Sequence, residues 1–196
     1  MKLQLKTIVL VLLALGLGSF VYIHETRILP QREAAKSQAK KIFNFTKDDV
    51  QAFSIQTQTE TLKFERLPPK DGNQQPLLQW QMKSPKDVQA NDASISFLLS
   101  LLANSQQERS FLASPEKLSE YGLDKPLATV EITLKDSKTH QLILGKPDFN
   151  RSFLYAQINP ATPKPPQIEV LLVPIDFEYS VKRSLSEWEV TKNPKK

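Results

Sequence analysis

The residues able to do chemistry are few and poorly spaced for one another. The chain of 196 residues has two histidines, His24 and His140, and no cysteine. Thiol catalysis, disulfide scaffolds and cysteine-ligated metal sites are thereby excluded. His140 lies in an alternating stretch between Thr139 and Gln141 with no second histidine near it, so it reads as a strand residue and not as a metal ligand or catalytic base. His24 directly follows an apolar run and reads as solvated. Asp48 and Asp49 are adjacent, and neighbouring residues in a strand or turn point apart, whereas acid–base catalysis needs carboxylates converging on one reacting atom. With Thr46 before them they read as a capped turn. Gly145-Lys146-Pro147 lacks the frame of a phosphate-binding loop and reads as a strand end. Asn44-Phe45-Thr46 and Asn150-Arg151-Ser152 have glycosylation spacing, which has no consequence in a bacterial host. No catalytic, cofactor-binding or metal-ligating residue is assigned. The reading leans away from an enzyme, and an envelope hydrolase using Asp/Glu pairs stays as an alternative.

The charge is as informative as the missing chemistry. The net charge is +5, a value that invites a nucleic-acid partner, yet its distribution points elsewhere. Residues 1–41 hold seven Lys or Arg against two Asp or Glu, and the remaining residues hold nineteen of each sign. The whole excess therefore flanks an apolar run of 17 uncharged residues, 7–23. Such a placement speaks of membranes and disfavours nucleic acid. At 1.5 Å per residue the run reaches about 25 Å, the short end of a bilayer span. Lys2 and Lys6 precede it, so residues 1–6 are expected in the cytoplasm and the rest across the membrane. A cleaved signal peptide with a cut at Ser19 is the competing reading, but Phe20–Ile23 (20–23) continue the apolar run where a cleavage region should turn polar. Residues 24–41 read as a basic juxtamembrane stalk and 191–196 as a basic tail.

Residues 42–190 must then form the working domain. Alternation over 50–67 predicts two strands, and Leu78, Trp80 and Met82 predict a third after the polar turn 68–76. Asn91 or Asp92 caps a helix whose Ile95, Leu98, Leu99 and Leu102 share one face. Residues 111–113 suggest a short strand. Ser114-Pro115-Glu116 then starts a short helix that Gly122 should end in a left-handed conformation. Strands are expected at 128–134, 140–144, 153–158 and 168–173, with a four-proline loop at 159–166. A closing helix from Pro174 to Leu185 and an edge strand at 187–190 complete the expectation. The fold class is α+β, mainly antiparallel sheet with short helices packed on it, preceded by one N-terminal transmembrane helix.

Trp80, the Leu98-Leu99-x-x-Leu102 helix, Tyr121-Gly122-Leu123-Asp124-Lys125-Pro126, the strand 128–134, Leu142-x-Leu144-Gly145 and Phe153-x-Tyr155-Ala156 occur together in this order. In this the chain resembles the bacterial domain-of-unknown-function 4340 family, over about residues 42–188. The resemblance implies a single N-terminal membrane helix and an accessory role beside transporters of the gliding-motility ABC type. It carries no catalytic residues. Tyr121, Gly122, Leu123, Asp124 and Pro126 form the candidate structural or interaction motif: Gly122 ends a helix, Leu123 covers core, Asp124 caps backbone amides and Pro126 opens a strand. The function expected is a non-enzymatic, membrane-anchored extracytoplasmic module in a bacterial membrane, or facing a thylakoid lumen in a phototroph. It would bind or organise a protein partner in a transport or envelope complex, without a cofactor. The alternative is a lipid- or glycan-binding groove built from Trp80, Phe111, Phe153 and Tyr155.

Overall fold

Along Ala128–Leu134, the residues Ala128, Val130, Ile132 and Leu134 are buried while Glu131 is exposed, the period of two that a strand with one covered face requires. The computed structural model describes residues 40–68 and 80–190. In chain order the elements are β1 (Val50–Thr57), β2 (Thr61–Arg66), β3 (Trp80–Ser84), β4 (Val88–Gln89), α1 (Asp92–Asn104), β5 (Arg109–Ala113), β6 (Ala128–Leu134), β7 (Thr139–Pro147), β8 (Phe153–Ile158), β9 (Ile168–Pro174), α2 (Asp176–Val181) and α3 (Leu185–Trp188). Two 3-10 turns, Lys47–Asp49 and Pro115–Tyr121, precede β1 and follow β5. Among the described residues the strands form one sheet in the order β4-β3-β2-β1-β6-β7-β8-β9-β5. Every ladder is antiparallel. The α+β class read from the sequence is what the chain adopts. The run 7–23 lies outside the described residues, and among those described no helix is long and apolar enough to cross a membrane.

One connection explains the topology. β1 to β4 run as a meander toward one edge, and α1 then carries the chain to β5 at the opposite edge. The helix starts where Asn91 accepts hydrogen bonds from the backbone N–H groups of Ala93 (3.0 Å) and Ser94 (3.4 Å), satisfying donors that the first turn leaves orphaned. It buries Ile95, Leu98, Leu99 and Leu102 against the sheet. The chain then returns to the middle, where β6 pairs with β1, and the meander β6 to β9 closes against β5.

The helices share one face of the sheet. There Phe53 stacks on Phe64 at 4.7 Å between ring centroids, Trp80 meets Phe53 at 5.3 Å, and Trp188 of α3 meets Phe64 at 5.2 Å. This large core also takes Leu142, Leu154, Val173 and Phe177. On the other face, Lys63, Glu65, Lys83 and Glu131 are exposed, so no described element covers β1, β2, β3 and β6 there. Among the described residues, cover on this face lies at the β7–β8–β9–β5 end: the turn Pro115–Tyr121 and a second, smaller cluster of Ala113, Leu123, Ile168 and Val170.

Several expectations are corrected. The closing helix is two helices, because Ser184 starts afresh with a capping box: its N–H and hydroxyl both donate to the Glu187 carboxylate, at 2.8 and 2.9 Å. That helix occupies the start of the expected edge strand 187–190, leaving Glu189 as an isolated bridge to Ala90. β7 runs past Gly145 to Pro147, and β4 was not foreseen. The described part of β3 begins at Trp80; Leu78 and most of the turn 68–76 lie outside the described residues.

Candidate functional site

The motif 121–126 is a corner held by two glycines. Ser114 starts the 3-10 turn, its hydroxyl accepting from the Glu116 N–H at 3.4 Å. Gly122 ends it at φ 68°, ψ 23°, the left-handed conformation expected of that position. The Gly122 N–H donates to the Ser119 carbonyl and the Leu123 N–H to the Leu118 carbonyl. The corner then lies directly on β7. A Cβ on Gly145 would stand 2.2 Å from the Tyr121 carbonyl oxygen, and one on Gly122 would stand 2.9 Å from the backbone nitrogen of Lys146. Neither position has room for a side chain. Leu123 is buried in the small cluster. Asp124 is exposed and accepts no hydrogen bond from the described residues, so the expected capping of backbone amides does not occur. Pro126 is half-buried, and β6 begins two residues later, after the Leu127 N–H has already bonded the Leu144 carbonyl.

The corner gathers an aromatic group of its own. Tyr121 lies 5.5 Å from Phe111 and 5.0 Å from Tyr155 between ring centroids, and Phe111 lies 6.5 Å from Tyr155, edge to face. All three are half-buried. The groove expected from Trp80, Phe111, Phe153 and Tyr155 is not assembled. Trp80 belongs to the large core on the opposite face of the sheet, whereas Phe111 and Tyr155 pack on the small cluster.

Among the described residues, Asp49, His140 and Glu178 each hold structure together. Asp49 accepts from the Thr46 N–H and hydroxyl, both at 2.7 Å, and these bonds hold its carboxyl below the usual range. His140 lies on the helix face at the rim of the large core, with ring centroids 5.4 Å from Phe43 and 5.5 Å from Phe45. Burial, the main influence, pushes its imidazole below the ordinary value; Asp136 acts against that shift and Lys138 with it. Its neighbour Asn159 sits at φ 42° with Nδ2 3.4 Å from His140 Nδ1, beside an open cleft of about 420 Å³. Glu178 is the one buried acid of the described residues. Its Oε1 accepts from Lys182 Nζ, and Arg151, in the β7–β8 loop, brings Nη2 to 3.6 Å from Oε2. This cluster ties that loop to α2. Among the described residues no three His, Asp or Glu side chains converge as metal ligands would.

Sequence reasoning missed which of the described strands end the sheet. The β4 edge is two residues long, and the chain's own C-terminal segment closes it: the Asn91 N–H donates to the Trp188 carbonyl and the Val190 N–H to the Gln89 carbonyl. The β5 edge is five residues long, pairs only with β9 among the described strands, and carries Leu112 at 66% exposure. Which strand would become an edge depends on the α1 crossover, and no local pattern encodes that.

Residues 80–193 match the family model of a domain of unknown function, DUF4340. The chain belongs to the DUF4340 family. The match begins at β3, later than the residue 42 expected, so β1 and β2 lie outside it although β1 joins β6 at the centre of the sheet. The family assignment therefore spans both edges of the sheet but not the strands between β3 and β6. No curated protein and no solved structure matches the chain.

Proposed function

We propose that this DUF4340 chain is a non-enzymatic module, anchored in a bacterial membrane through residues 7–23, whose extracytoplasmic domain binds or organises a protein partner in a transport or envelope complex. The asymmetry of the sheet edges carries this reading: one edge is closed by the chain's own backbone, and the other pairs with no further described strand and carries an apolar side chain. Open, flat edges are templates for pairing that proteins ordinarily blunt. The uncharged run, the basic residues confined to 1–41 and the neutral remainder support the anchor. The test uses full-length protein in right-side-out vesicles of its host membrane, with a photo-crosslinking residue at Leu112 and, as control, at Lys83 on the sheet face away from the helices. External protease should degrade the domain, the anchor should resist carbonate extraction, and crosslinks to another protein should form from position 112 alone. Protection of the domain or a mature N-terminus at Ser19 overturns the topology. Equal crosslinking from both positions overturns the edge as the contact surface.

A further inference from the structure

We propose that the edge of β5 that pairs with no described strand receives one extended segment of another protein, paired antiparallel, in which two consecutive apolar residues are followed by a polar residue and an acid. The proposal rests on the partner-binding reading and names the partner's chemistry. Side chains along the edge alternate between faces. Phe111 and Ala113 point toward the small cluster, and Arg109 shares their side; Leu112 and Ser110 point to the helix side. Arg109, Ser110 and Leu112 are all exposed. A strand laid antiparallel on β5 thus meets, from its own N-terminal end, Leu112, Phe111, Ser110 and Arg109 in turn. Directly opposite side chains lie on the same face and in contact. Apolar residues complement Leu112 and the half-buried Phe111–Tyr121 pair, and an acid complements Arg109.

Size and register both argue against a second copy of this chain as the occupant. A five-residue edge is about 17 Å long, far short of what buries the roughly 1,200 Å² of a stable pair of folded surfaces. Placing Phe111 opposite Phe111 sets Leu112 against Ser110. Placing Leu112 opposite Leu112 sets Arg109 against Pro115, which has no N–H to pair. A short segment of a partner held in the same membrane needs less contact, because tethering raises its effective concentration.

The test screens the detergent-solubilised full-length protein against a displayed library of random eight-residue peptides, beside the variants Arg109→Glu and Leu112→Asp. Both replaced residues are exposed, and thermal melts check that the variants remain folded. The parent should enrich peptides with the apolar-apolar-polar-acid order. Arg109→Glu should replace the selected acid by a base at that position, and Leu112→Asp should cut enrichment at least tenfold. The absence of enrichment, a motif unchanged by both substitutions, or selection of copies of residues 108–113 themselves overturns the proposal. Selected peptides of the expected order, with no crosslink from position 112 in host membranes, would uphold the edge chemistry and overturn the wider function. Crosslinks without the motif would do the reverse.

Discussion

The two faces of the sheet hold their cover by opposite means. On the helix side, large side chains fill space: Phe64, Phe177, Trp188 and Leu98, Leu99 and Leu102 of α1 are each no more than 2% exposed. On the other side, the corner 121–126 docks through what is missing, since Gly122 and Gly145 let backbone approach where any Cβ would collide. A core of the first kind fails when atoms are removed and cavities form. A corner of the second kind fails when a single carbon is added. The hexapeptide 121–126 thus docks as a steric device, through Gly122 and the facing Gly145.

The largest effect is expected from the side that fills space. Phe177→Ala removes a fully buried ring between α2 and the sheet and should cost about 3–5 kcal/mol, lowering the melting temperature of the full-length protein in detergent by roughly 10 °C. Adding carbon to that core should matter less than removing it. The corner should show the reverse. Gly145→Ala puts a Cβ against the Tyr121 carbonyl and should cost about 2–3 kcal/mol. Gly122→Ala adds a strained left-handed conformation and should cost about 1–2 kcal/mol. Asp124→Asn, exposed and unbonded, should change stability by less than about 0.5 kcal/mol. Thermal melts of the three variants give the ranking directly. A neutral Gly145→Ala would remove the contrast between the faces, and an Asp124→Asn that abolishes crosslinking from Leu112 without loss of stability would turn the corner into a binding site.

This contrast also shows where sequence could be read. Period-two stretches such as 128–134 and the α1 stripe state their burial locally, because each residue's face follows from its neighbours' spacing. Gly122 was legible for the same reason: Ser114-Pro115 starts a turn that needs a left-handed end. Gly145 was legible only as a strand end, because its task is set by Tyr121, 24 residues away. The same limit explains Trp80 and Tyr155, aromatic residues that strand alternation cannot assign to opposite faces until the register of every intervening strand is known. The break at Ser184 was missed for a different reason: the capping box there competes with an apolar spacing that alone predicts one continuous helix.

The smallest expected effect concerns pH, and it acts at the rim of the large core. His140 is packed beside Phe43 and Phe45, and burial lowers its pKa in the folded state. The unfolded chain, with an imidazole near the ordinary value of about 6.5, then binds its proton before the folded chain does. Stability from this group is therefore fully present above about pH 6.5, and it is lost as pH falls through the lowered folded value. The loss should begin at a higher pH than the one caused by Asp49 and Glu187. Those carboxylates are held below their usual range by hydrogen bonds from Thr46 and Ser184, and their contribution disappears only as acid protonates them. Denaturant unfolding of the full-length protein at a series of pH values between 7 and 5 should show a shallow decline that His140→Gln abolishes. Backbone hydrogen exchange should place the weakened protection at residues 42–45, and not at the corner 121–126 on the far side of the sheet. Equal loosening of both regions would mean that the two faces are one cooperative unit, and the distinction between filled core and docked corner would then describe packing without describing how the domain comes apart.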